Sequence, residues 1–218
     1  MTTVTSTTTA EPQSIPERVA SLREIAERDP LAARDAAWAW FRRLGALTAR
    51  DRAGAAKQLE DLFACGRPAT GIDGPTEGML VAPLIHPLVD AFLRGLTALW
   101  MPWLGKSFYP TEARGDNRLI RSAKWPAKLL WPRYDAKPRD GELAAFDFET
   151  RVEKGGIEPA VDVLVIDYEP LESNPRFLIR SIRDELVEIA PGANLGRILY
   201  RRKGGGYTNI GYFALRTG

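Results

Sequence analysis

The 218 residues carry 30 basic and 28 acidic side chains, a formal charge of +2, with 44% apolar and 27% charged residues. Such a chain can build a core, and it lacks the basic excess by which nucleic-acid binders attract phosphate, so no nucleic acid is expected as partner. Cys65 is the sole cysteine, which excludes an internal disulfide and a cysteine cage for zinc and fits a reducing compartment.

The N-terminus, MTTVTSTTTAEPQSIP, has neither a basic n-region nor an apolar h-region, so it does not read as a signal peptide. Residues 1–13 are Thr-rich and aperiodic and are expected to form a disordered tail. Three helices are expected over residues 14–66. Ser14-Ile15-Pro16-Glu17 has capping-box spacing and is followed by Val19, Leu22, Ile25 and Ala26 at helical intervals. Asp29-Pro30 opens a second helix with Leu31, Ala37, Trp38, Phe41 and Leu44 as its apolar residues and Gly45 as its expected end. Thr48 opens a third, with Ala55, Leu59, Leu62 and Phe63 on one side and Gly66 as the stop. Such a segment is either a cap packed on a second structural unit or an adaptor for a partner protein.

Residues 67–78 contain three glycines and two prolines and are expected to be a linker loop. Beyond it, residues 79–218 read as an antiparallel β domain with short helices. Pro87 opens a helix bearing Leu88, Phe92, Leu96 and Leu99, which Pro102 stops near Trp100. The apolar stretch at residues 80–103 is interrupted by prolines, His86, Asp90 and Arg94, so no transmembrane segment is expected and the cytoplasm is the expected location. Strands are expected at 104–109 and 117–123, then one or two helical turns in the aromatic segment 125–134. Alternation becomes plain at 144–152, where Phe146 and Phe148 oppose Asp147, Glu149 and Arg151, the pattern of a strand with one solvated face. In residues 161–168, Val161, Val163 and Val165 oppose Leu164, Ile166 and Tyr168, so both faces carry apolar residues. A short helix is expected at 177–182, and strands at 185–189, 195–202 and 207–216, separated by Pro191-Gly192 and by residues 203–206.

The fold class is therefore α+β. A helical segment of about three short helices packs on an antiparallel β-barrel, or strongly curved sheet, of about seven to eight strands. Closure hides the sheet edges, and an interior of that size either fills with side chains or holds one small ligand.

The segment Trp103-Leu104-Gly105-Lys106-Ser107-Phe108, with Ile72-Asp73-Gly74, Leu195-Gly196 and Tyr212-Phe213-Ala214-Leu215-Arg216, resembles lipocalin-like (calycin) barrels. The likeness is strongest to the uncharacterised bacterial proteins named for a GXWXG motif, and it covers roughly residues 66–218. The resemblance implies a barrel with an internal apolar cavity and no particular substrate. It also implies that Trp103 closes one end beneath Arg216, by stacking of guanidinium on indole.

Chemistry-bearing residues are few. His86 is the only histidine, so two-histidine metal sites are excluded. At a helix entrance beside Pro87 it reads as structural, with axial ligation of haem or general-base work as alternatives. No metal site and no cofactor are otherwise expected, and Cys65 reads as a small filler. Gly115-Asp116-Asn117-Arg118 reads as a turn. Alternatively, Asp116 and Arg118 stand at a barrel mouth, joined by Lys106 and Lys124, and bind a polar ligand head. Tyr168 shares a face with Leu164 and Ile166, where its hydroxyl can reach a cavity. Arg183 either makes ion pairs or points inward to a ligand carboxylate. Trp100, Trp103, Phe108, Tyr109, Trp125, Trp131 and Tyr134 form an aromatic group that suits a core, an apolar ligand pocket or a membrane interface.

The expected function is binding of an apolar or amphipathic small molecule, with Trp100, Lys106, Asp116, Arg118, Trp125, Tyr168 and Arg183 as candidate contacts. The alternatives are a metal-independent isomerase, cyclase or lyase using the same cavity, and a protein-interaction module built on the helices. A homodimer is compatible with each.

Overall fold

A computed structural model describes residues 13–84 and 103–218. The positions expected as the tail up to residue 12, the helix after Pro87, His86 and Trp100 lie outside the described residues.

Side-chain caps set the three N-terminal helices. Helix α1 (Ile15–Arg28) begins with the capping box, in which Ser14 Oγ accepts from the Glu17 amide and the Glu17 carboxylate accepts from the Ser14 amide at 2.8 Å. Helix α2 (Pro30–Thr48) is capped by Asp29, which accepts from the Ala32 amide at 2.9 Å. Helix α3 (Arg52–Ala64) is capped by Asp51, which accepts from the Gly54 amide at 2.8 Å. Two expectations are corrected here. Thr48 does not open α3; it is the last residue of α2. Gly45 does not end α2 either. A Cβ at that position would lie 2.9 Å from the Val81 carbonyl oxygen, so glycine there permits close approach of the helix to the sheet.

The strands are β1 (Arg67–Pro68), β2 (Gly74–Pro83), β3 (Trp103–Tyr109), β4 (Arg114–Ile120), β5 (Lys137–Arg139), β6 (Glu142–Lys154), β7 (Asp162–Asp167), β8 (Ile182–Ala190), β9 (Ala193–Arg201) and β10 (Tyr207–Thr217). Eight of them close an antiparallel barrel in the order β8-β7-β6-β4-β3-β2-β10-β9, with β9 returning to β8. Strands β1 and β5 add to β8 and β6. The fold is α+β, as the sequence predicts.

Three local expectations change. Residues 67–78 hold β1 and the start of β2, since proline is tolerated in a two-residue added strand and at a strand's beginning. Residues 115–118 lie inside β4; the turn before it is a 3-10 turn (Pro110–Glu112) followed by Ala113 at φ 51°. The helical part of 177–182 is only Ile179–Ser181, because Ile182, Asp184 and Leu186 already alternate in β8 between β7 and β9.

Strand alternation gives the barrel two apolar surfaces. The outer one packs Val163 and Val165 of β7, Val187 and Ile189 of β8, Leu195 and Tyr212 against Val19, Leu22, Trp38, Phe41, Leu44, Leu59 and Phe63 of the helices. The inner one comprises Phe108, Leu119, Phe146, Phe148, Ile166, Tyr168, Ile182, Ile198, Phe213 and Leu215. Helix α4 (Lys124–Leu130) contributes Ala127 to the inner cluster, followed by Trp131. Among the described residues no helix is long and apolar enough to cross a membrane.

Candidate functional site

Two irregularities in the barrel wall position the site. Between β3 and β4 the register shifts after Trp103, and Gly105 takes φ 144°. A Cβ there would fall 2.0 Å from the Thr76 carbonyl oxygen, so only glycine lets β3 bend and deliver Lys106 to the interior. Opposite β4, the register of β6 gains a residue near Phe146, which sits at φ 53°. A bulky side chain in the left-handed region is a strained conformation of the kind that gathers at functional sites. Stacking on Tyr134 at 4.9 Å and the hydrogen bond from its amide to the Tyr134 hydroxyl hold Phe146 there. Its freed carbonyl accepts from Asn117 Nδ2 at 3.2 Å.

Inside, Lys106, Asn117, Tyr168 and Asp184 form a connected polar group in an apolar surround. Lys106 is 2% exposed and Asp184 4%. Lys106 Nζ donates to Asn117 Oδ1 at 2.9 Å, to Asp184 Oδ2 at 3.0 Å and to the Tyr168 hydroxyl. The Tyr168 hydroxyl also accepts from Asn117 Nδ2 at 3.2 Å and donates to Asp184 Oδ2 at 2.9 Å. Trp103 Nε1 donates to Asn117 Oδ1 at 3.2 Å. Four aromatic rings, of Trp103, Phe148, Tyr168 and Phe213, lie 5.2–5.8 Å from the ammonium. Burial pushes the Lys106 ammonium below the usual lysine range, against the pull of Asp184. Burial, reinforced by Asp184, holds the Tyr168 phenol well above its ordinary value.

One atom of this group lacks a partner. Asp184 Oδ1 is buried and accepts no hydrogen bond, while Oδ2 takes both those from Lys106 and Tyr168. Asp184, Lys106, Asn117 and Tyr168 line a cavity of about 70 Å³ whose other walls are Leu80, Trp103, Leu119, Trp131, Phe146, Ile179, Ile182, Ile198 and Phe213. The arrangement offers a lone carboxylate acceptor to a molecule in an apolar chamber.

The residues singled out from sequence separate into three groups. Lys106 and Tyr168 meet in the cavity, and Trp103 lines it. Asp116, Arg118 and Arg183 face outward, because each is offset by one position from an inward residue. Asp116 pairs with Arg139 at 2.6 Å and accepts from Tyr109 at 3.0 Å. Arg118 makes a fork to Glu142 at 2.7 and 2.8 Å and donates to the Thr76 carbonyl. Arg183 bonds Glu153 at 2.9 Å and Glu185 at 3.0 Å, which is the ion-pair reading of that segment. Trp125 is 83% exposed on α4 and does not line the cavity.

The pairing of Trp103 with Arg216 is corrected. Arg216 shares the outer face of β10 with Tyr212 and Ala214; its guanidinium lies 4.8 Å from the Trp38 ring of α2 and pairs with Glu77 at 2.6 Å. Trp103 instead meets Phe213 edge-on at 5.7 Å.

Sequence reasoning missed Asn117 and Asp184. Asp184 stands between Ile182 and Leu186 in a strict alternation, so a strand begun at 182 would have placed a lone carboxylate among inward apolar residues. Among the described residues no group of three His, Cys, Asp or Glu side chains could hold a metal ion.

Neither the protein-family models nor the curated proteins give a match. Among solved structures, a crystal structure of a protein from Thermomonospora curvata aligns with 82% of this chain and 97% of its own, at 18% identity and a TM-score of 0.45.

Proposed function

We propose that the barrel binds a small, largely apolar molecule through one hydrogen-bond donor directed at Asp184 Oδ1. The unpartnered buried oxygen carries this reading. A buried acceptor left unmade costs about 1–3 kcal/mol, and a ligand hydroxyl or amine recovers that cost on binding. Because Lys106 already balances the Asp184 charge, a neutral donor suits the site better than a second cation.

Size narrows the class further. At about 70 Å³ the chamber is half the roughly 150 Å³ of an apolar cavity that binds benzene, so a ligand of four or so carbons fits and a fatty chain does not. The lipocalin-like character is part of this proposal. So is the role of residues 14–66, read as a cap that braces the barrel wall.

The test is titration of the intact protein with 1-butanol and with 1-chlorobutane, similar in size but without the donor, followed by methyl chemical shifts of Ile182 and Ile198. The alcohol should bind more tightly, roughly tenfold or more for a hydrogen bond to a charged acceptor. Equal affinities, or shifts confined to surface residues, would refute the anchoring role of Asp184.

A second reading, a metal-independent enzyme in the same chamber, is favoured by one observation. The chamber holds an amine, a carboxylate and a phenol in mutual contact.

A further inference from the structure

We infer that Lys106 is an amine nucleophile that condenses with the carbonyl group of a small apolar aldehyde or ketone held in the barrel. The inference rests on the ligand-binding reading of the same cavity and adds covalent chemistry to it.

The geometry supplies each requirement. Schiff-base lysines work as neutral amines, and desolvation in an apolar pocket favours that form. Lys106 lies in such a pocket, with its ammonium pushed below the usual range by burial. A proton acceptor is in contact, since Asp184 Oδ2 is 3.0 Å from Nζ, and transfer across that bond leaves the pair neutral overall. Asn117 Oδ1 and the Tyr168 hydroxyl hold the nitrogen from two other directions, so they act as positioning residues.

The Nζ proton passes to Asp184, and the freed lone pair forms a bond to the carbonyl carbon while the carbon–oxygen π pair moves to oxygen. That oxygen takes the proton back from Asp184, and the amine gives its next proton to the same carboxylate. Return of this proton to the hydroxyl expels water. The products are a protonated imine on Lys106, one water and an Asp184 carboxylate that remains its counterion. Asp184 Oδ1, free of other bonds, is the oxygen through which protons can reach the substrate.

Butanal is the probe, used on the full chain with sodium cyanoborohydride at neutral pH, where surface lysines are largely protonated. The adduct is located by peptide mass mapping. One butyl group on Lys106, added faster than on Lys57, Lys124, Lys128, Lys137, Lys154 or Lys203, is the expected result. Butylation of those accessible lysines with Lys106 unmodified overturns the inference. If 1-butanol still binds in that case, the cavity remains a ligand site and only the covalent step is lost. If neither butanol binding nor Lys106 butylation is seen, both readings fall together.

Discussion

Lys106 and Asp184 join opposite walls of the barrel. Strand β3 lies four strands from β8 in either direction around the closed sheet, yet Nζ and Oδ2 are 3.0 Å apart. The pair therefore spans the interior and fixes the spacing of two walls that share no hydrogen bonds. Replacing one partner leaves the other charge buried alone, which typically costs about 3–5 kcal/mol. Lys106→Met should lose stability of that order, while Lys106→Met with Asp184→Leu should recover most of it. Urea midpoints at constant slope read the difference; strict additivity of the two single changes would show that the charges do not act as a pair.

Tyr168→Phe isolates the hydroxyl. The ring would keep its edge contact with Phe148 at 5.7 Å, but Lys106 and Asn117 would lose an acceptor and Asp184 a donor. A loss of about 1–3 kcal/mol in chemical denaturation is expected. A neutral effect would mean that water replaces the hydroxyl, and the cavity would then be wetter than its lining suggests.

The sequence made the strands legible wherever one face was apolar and the other polar, as at Phe146 and Phe148 against Asp147 and Glu149. It made α1 and α2 legible through their caps, Ser14 and Asp29, whereas the cap of α3 is Asp51, three residues past the expected Thr48. Facing direction was harder. Tyr168 directly follows β7 and continues the inward face of Leu164 and Ile166, whereas Asp116, Arg118 and Arg183 each sit one position from an inward neighbour. A period of two turns a single-residue error in strand onset into the wrong face. Bulges compound the problem. Gly105 and the left-handed Phe146 shift the register around Lys106 and Asn117, and no local pattern announces either shift.

Outside the barrel wall, Glu185 is fully buried and holds two arginines. It accepts from Arg183 at 3.0 Å and from Arg197 at 2.8 Å, while the Gly156 amide donates to it at 2.7 Å. The Arg197 guanidinium in turn lies 4.3 Å from the Phe63 ring, so this cluster ties α3 to the barrel. Glu185→Ala should destabilise by about 3–5 kcal/mol, because both arginines remain buried without their shared carboxylate. Amide exchange in α3 should rise with it. Exchange unchanged in α3 would show that the helix is held by apolar packing alone.

Alkali should weaken the fold through its buried tyrosines, Tyr134 and Tyr212 among them. Burial raises Tyr134 and Tyr212 from 10.0 to about 12. Between those values the unfolded chain has released the phenolic protons and the native protein has kept them, so stability falls as pH rises through the window. Two units correspond to about 2–3 kcal/mol for each residue, present in full below pH 10 and lost near 12. Comparing wild type with Tyr134→Phe cancels the other titrating groups. The variant should lose stability less steeply over this range, by roughly the share of one tyrosine. Parallel curves would place Tyr134 in water, and would remove its hydroxyl from the support of the strained Phe146 beside the cavity.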